Sequence, residues 1–167
     1  MTATTALGRL LRDADGVRLR FERTYAAGVD DVWSALTDPD RCARWIGRWS
    51  GDPATVQLVM ADEEDAGPQQ VRIEACEPPH RLAVTTGSAD GPWPLEVTLV
   101  EQGAGTLLTF VHHLAEPYDA SSIGPGWQYY LDRLGAVLTG EQVPADLDEY
   151  HPALADAYAV PAEPRPG

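Results

Sequence analysis

The chain has 167 residues, 44% of them hydrophobic and 23% charged, which suits one compact domain with a surplus for tails. Its 26 acidic and 12 basic residues give a formal net charge of −14, which repels phosphate backbones and anionic lipid headgroups and sets nucleic-acid and membrane-surface roles aside. No stretch approaches the roughly 18 apolar residues of a membrane span and the N-terminus lacks a signal-peptide pattern, so the expectation is a cytoplasmic protein.

In chain order, residues 1–15 read as a flexible N-terminal segment, 16–140 as the folded domain and 141–167 as a tail. Val17, Leu19 and Phe21 alternate with Arg18, Arg20 and Glu22, the pattern of a half-buried strand over 17–26. Val29, Val32, Trp33 and Leu36 then fall at helical spacing, with Asp30 and Asp31 suited to the cap and the positive end of the helix dipole. Asp38-Pro39 closes that helix, and PDRCARW carries a short second one.

Alternating apolar runs follow at 55–61, 71–77, 81–86, 95–101 and 106–113, separated by turn-rich stretches. The acidic run from Asp62 to Gln69 reads as a solvated loop. Val71, Ile73 and Ala75 share one face of their strand, opposite Arg72, Glu74 and Cys76. On the last strand Leu108, Phe110 and His112 share a face, placed inward, while His113 points to the surface. Glu74 and Glu96 alternate with inward positions and face solvent.

A long helix is expected from about Gly124 to Leu138, with the stripe Trp127, Tyr130, Leu131, Leu134, Val137 and Leu138. Tyr129, Asp132 and Arg133 fall outside the stripe, and Gly140 stops the helix. In the tail Tyr150, Leu154 and Tyr158 recur every four residues on a short helix. That edge docks onto the core or onto a partner, a second copy of the chain or a chaperone. One strand, two short helices, further antiparallel strands and a long closing helix make an α+β chain whose sheet has one face to bury.

Four segments, in this order, resemble the START-like (SRPBCC, helix-grip) superfamily and, within it, the heat-shock-protein-90 ATPase activator homologue group: FERTYAAGVDDVWSALTDPDRCARWIG, VRIEACEPPHRL, GTLLTFVHH and GWQYYLDRL. The resemblance spans about residues 17–139 and implies a curved antiparallel sheet of about six strands wrapped around the C-terminal helix, with a pocket between them. The superfamily includes lipid carriers, hormone and allergen-type ligand binders, polyketide cyclases, oxygenase domains and the co-chaperone domain, so function rests on the cavity rather than on the fold.

On that fold Trp45, Trp49, Trp93 and Trp127 would rim or line the cavity. Ile73, Val97, Leu99, Leu108, Phe110, Tyr130, Leu131 and Leu134 would supply its walls, and His112 would face it. The reading is a non-catalytic binder of a small hydrophobic or aromatic molecule. Two alternatives stand beside it: a cyclase- or dehydratase-like enzyme moving protons through His112 and Tyr130, or a co-chaperone-like interaction module. No GxSxG serine, phosphate loop or metal-ligand spacing is present, and neither a metal nor a cofactor is expected. Cys42 and Cys76, 34 positions apart, read as reduced and mostly buried thiols.

Overall fold

The computed structural model of the chain describes residues 6–52, 56–61, 67–88 and 91–164. Most of the expected acidic loop, residues 62–66, and the last three residues of the tail lie outside these.

Among the described residues nine strands form a single sheet: β1 (Arg9–Asp13), β2 (Gly16–Tyr25), β3 (Gly47–Ser50), β4 (Val56–Met60), β5 (Gln69–Glu77), β6 (Arg81–Ser88), β7 (Gly91–Gln102), β8 (Gly105–Leu114) and β9 (Glu163–Pro164). Their order is β3-β4-β5-β6-β7-β8-β2-β1-β9. Every neighbouring pair is antiparallel except β1 with β9. Two short helices, α1 (Val29–Thr37) and α2 (Pro39–Cys42), follow β2, and α3 (Ala120–Thr139) and α4 (Tyr150–Tyr158) close the chain. The sheet curves around α3 in the helix-grip arrangement, with nine strands where about six were expected.

The extra strands sit where the pattern is short. Residues 9–13, expected to be part of a flexible segment, form a hairpin with β2 in which Leu10 pairs with Leu19. Both Leu10 and Leu11 are buried, so the strand shows no alternation to read. The four residues of β3 and the two of β9 are too few for a period.

β8 has the clearest alternation in the molecule: Thr106, Leu108, Phe110, His112 and Leu114 are all buried, and the residues between them are half-buried. β5 breaks its own alternation. Ile73 pairs with Val84, but the register shifts so that Ala75 pairs with Ala83 and Cys76 with Leu82. That bulge turns Cys76, expected on the outer face, towards the face that carries Leu82 and Val84. Cys42 is a buried free thiol as expected, whereas Cys76 is free and exposed.

α1 begins at Val29 behind Gly28, and no side chain caps it. Asp30 and Asp31 lie within its first turn and act through the dipole alone. α3 begins four residues earlier than the stripe implied, where Asp119 accepts a hydrogen bond from the Ser121 amide at 3.1 Å. It ends where Gly140 takes φ 75°.

The far side of α3 is also covered. Tyr129, expected off the stripe, is fully buried against Tyr150, their ring centroids 5.2 Å apart. The tail causes this: Tyr150, Leu154 and Tyr158 all pack onto α3, so their stripe is spent within the chain. Tyr158 donates to Gln128 at 2.6 Å and accepts from the Gly8 amide at 2.8 Å, which ties α4, α3 and the N-terminus together. No helix among the described residues is long and apolar enough to cross a membrane.

Candidate functional site

Strand register decides which side chains meet beneath α3. Ile73, Val84, Leu95, His112 and Leu19 form one cross-strand row over β5, β6, β7, β8 and β2. Val71, Thr86 and Trp93 form the next. Trp127 and Tyr130 descend onto these rows from α3.

Between sheet and helix lie two adjoining hollows, of about 900 Å³ and about 340 Å³. They share Ile46, Leu58, Val71, Val84, Leu95, Trp127 and Tyr130 as walls. The smaller is almost wholly apolar and reaches Trp45, Trp49, Ile73, Cys76, Val97, Leu108, Phe110 and Leu131. The larger passes Thr86, Gln69, Trp93 and Leu114 to a mouth formed by residues 115–119, Ser122, Ile123, Leu147 and His151.

Of the residues placed at the cavity from sequence, Trp45, Trp49, Ile73, Trp93, Val97, Leu108, Phe110, Trp127, Tyr130 and Leu131 line one hollow or both. Leu99, Leu134 and His112 do not. Leu99 and Leu134 are buried in solid core farther along the sheet and helix.

His112 sits behind the wall. The Trp127 indole Nε1–H donates to its Nδ1 at 3.0 Å. Indole is only a donor, so Nδ1 is the bare nitrogen and the ring proton rests on Nε2. Trp93 packs on the imidazole with ring centroids 4.7 Å apart, and only 1% of the residue is exposed. Burial, reinforced by the charge of His113, lowers its pKa to about 4, so the ring is neutral near pH 7. His112 therefore holds Trp127 in place, with the Phe110 ring tilted against the same indole at a centroid distance of 4.7 Å. Neither half of the expected His112–Tyr130 pair meets the other in one open volume, because only Tyr130 reaches it.

Trp45 and Cys42 both satisfy Ala35: the indole donates to its carbonyl at 2.7 Å and the thiol at 3.4 Å. Burial pushes the Cys42 thiol up to about 11, which leaves it an unreactive wall group. Glu74 points outward to Arg72 and Thr85, and Glu96 to Arg81, so neither carboxylate enters the hollows. Among the described residues no group of three His, Cys, Asp or Glu is placed to hold a metal ion.

The family described as Activator of Hsp90 ATPase homolog 1-like protein matches residues 26–139. The chain belongs to this family. The matched span contains every wall of the two hollows except Leu147 and His151, which the tail adds. Among solved structures, CalU16 from Micromonospora echinospora is 29% identical, with 94% of this chain and 96% of that one aligned and a TM-score of 0.72. The BPP1335 protein of Bordetella parapertussis is 25% identical over 98% of this chain and 96% of that one, with a TM-score of 0.71. DynU16, a protein of the dynemicin biosynthetic locus, is 25% identical over 80% of this chain, with a TM-score of 0.68. The aligned part is about half (51%) of DynU16's own length. No curated protein matches the sequence.

Sequence reading missed Ile46, Leu58, Met60, Gln69, Val71, Val84, Thr86, Leu95 and Leu114 as walls. The signal was available for most of them. Leu82, Val84 and Thr86 alternate on β6 and Leu95, Val97 and Leu99 on β7, so choosing a face for one residue chooses it for the rest.

Proposed function

We propose that this member of the Hsp90-ATPase-activator-homologue family binds a small hydrophobic or aromatic molecule between sheet and α3, and does so without catalysis. The observation that carries this reading is the pair of adjoining hollows, whose apolar walls meet at Trp127 and Tyr130. Volumes of this order match small-molecule sites of roughly 300–1,000 Å³. Indole and phenol rings at the junction favour a flat ligand, which gains about 0.5–1.5 kcal/mol per ring pair beyond its buried area.

The absence of catalysis rests on His112. A general base must reach the proton it takes, and this imidazole lies behind two tryptophans with its bare nitrogen already engaged. The link of DynU16 to a biosynthetic locus is consistent with a natural-product ligand.

Pyrene, a neutral fluorescent aromatic, tests the reading. Saturable binding is expected, with a rise in melting temperature that grows with pyrene concentration. Val84 borders both hollows, and Val84→Trp fills them from the sheet side, so that variant should fold and lose pyrene binding. Absence of binding by the wild type, or full retention by the filled variant, removes the proposal.

A further inference from the structure

Thr86 is the exception in the cavity wall. It is 5% exposed, it lies between Val71 and Trp93 in the cross-strand row, and its Oγ1 has no hydrogen-bond partner among the described residues. A buried hydroxyl without a partner carries its full desolvation cost, and folded proteins keep few of them. Of the two described side chains with such an orphaned atom, Arg23 lies on β2 with its other terminal nitrogen on Asp132, away from both hollows. Thr86 alone belongs to the wall of the larger one.

The Gln69 amide, two positions from Val71 on the same face of β5, makes no hydrogen bond with Thr86, and the other side chains around it offer none. Val71, Val84 and Leu95 are aliphatic, and the Trp127 indole N–H is committed to His112. Oγ1 is itself covered, and a turn about χ1 is the motion that would present it to a molecule in the hollow that Thr86 lines.

We infer that Thr86 is the hydrogen-bonding anchor of the ligand, and that the ligand is a flat aromatic ring system bearing an oxygen, hydroxyl or carbonyl, on the edge that faces β6. This rests on the binding role proposed above and narrows the ligand from any apolar molecule to an oxygenated aromatic one. A hydroxyl both donates and accepts, so Thr86 pairs with a phenol or with a ring carbonyl. The ring stacks along Trp93 while its oxygen meets the cross-strand neighbour of that tryptophan.

The experiment compares pyrene with 1-hydroxypyrene, which differ by one oxygen, by fluorescence titration of the intact chain. Wild type should bind 1-hydroxypyrene about three- to tenfold more tightly than pyrene, the gain of one satisfied neutral hydrogen bond. In Thr86→Val that ratio should fall towards one, in Thr86→Ala likewise, and in Thr86→Ser it should persist. Ligand-free Thr86→Val should also melt above wild type, because the orphaned group is gone.

Equal binding of the two probes by wild type means that water alone serves the hydroxyl and overturns the anchor while leaving the cavity role intact. A preference that survives in Thr86→Val and Thr86→Ala places the oxygen elsewhere and overturns it as well. Failure of both probes to bind removes the cavity role and the anchor together. If Thr86→Val does not fold, the Ala and Ser variants decide the same question.

Discussion

At the scale of single residues, the pairing of His112 with Trp127 turns a titratable side chain into a structural one. The folded ring titrates at about 4, below the ordinary imidazole value of 6.5. Below about pH 6.5 the unfolded chain takes up a proton that the folded chain refuses. Stability contributed by the neutral ring is therefore complete above about 6.5 and lost as the pH falls towards about 4, by on the order of 3 kcal/mol. Burial also holds His113 below the ordinary imidazole value, so the informative comparison is with His112→Gln, which keeps an acceptor for the indole but cannot titrate. Chemical denaturation at a series of pH values should show wild type losing stability relative to that variant between pH 6.5 and 4.5. Parallel profiles would mean that His112 is as easily protonated in the folded state as in the unfolded one. The residue reading was half legible from sequence: alternation put His112 on the buried face, but which atom would meet it depended on a helix 15 residues away in the chain.

Among elements, α3 and α4 depend on one close approach. The Gly124-Pro125-Gly126 stretch reads as a helix boundary because glycine and proline are poor interior residues. It lies inside α3, which the Asp119 cap starts upstream, and the Tyr158 ring rests on Gly124. A Cβ at that position would stand 2.4 Å from Tyr158 Cγ, well inside contact distance. Gly124→Ala should therefore push α4 away and cost roughly 1–3 kcal/mol by overpacking. Limited proteolysis should then cut the tail faster than in wild type. Tyr158→Phe leaves the Gly8 amide without its acceptor and takes away a donor to Gln128 Oε1, and should cost about 1–3 kcal/mol in denaturant unfolding. A tail that is cut no faster in the alanine variant would show that α4 tolerates displacement. The four-residue recurrence of Tyr150, Leu154 and Tyr158 made an apolar edge visible in sequence. Its target was not, since α3 presents two apolar sides and hydropathy alone marks only the stronger.

For the molecule as a whole, net charge sets the field at the edge of the larger hollow, and on the proposed binding role that field would disfavour anionic ligands. The formal net charge of −14 surrounds an opening that itself carries Glu116 and Asp119. Glu116 is tied to Arg12 and Asp119 caps α3, yet both contribute to a field that disfavours anions. 1-Pyrenesulfonate should bind more weakly than pyrene at low ionic strength. The gap should narrow when salt is raised to about 0.5 M, where screening acts over only a few ångströms. A gap independent of salt would mean that the mouth field is not what separates the two probes.

Sequence by itself determined what depends on neighbours along the chain: the alternating faces of β2 and β8, the α3 stripe, the order of elements and the family resemblance they carry. Two-residue and 3.6-residue periods are local, so they survive without knowledge of the fold. Tertiary structure decided what depends on partners far apart in sequence. The bulge that moves Cys76 onto the face of Leu82, the docking of α4 behind Tyr129, the withdrawal of His112 behind Trp127 and the unpartnered hydroxyl of Thr86 each require two or more distant segments to meet. Whether a hollow remains between sheet and helix is the sum of many such meetings, because volume left unfilled is a property of packing and not of any single run of residues.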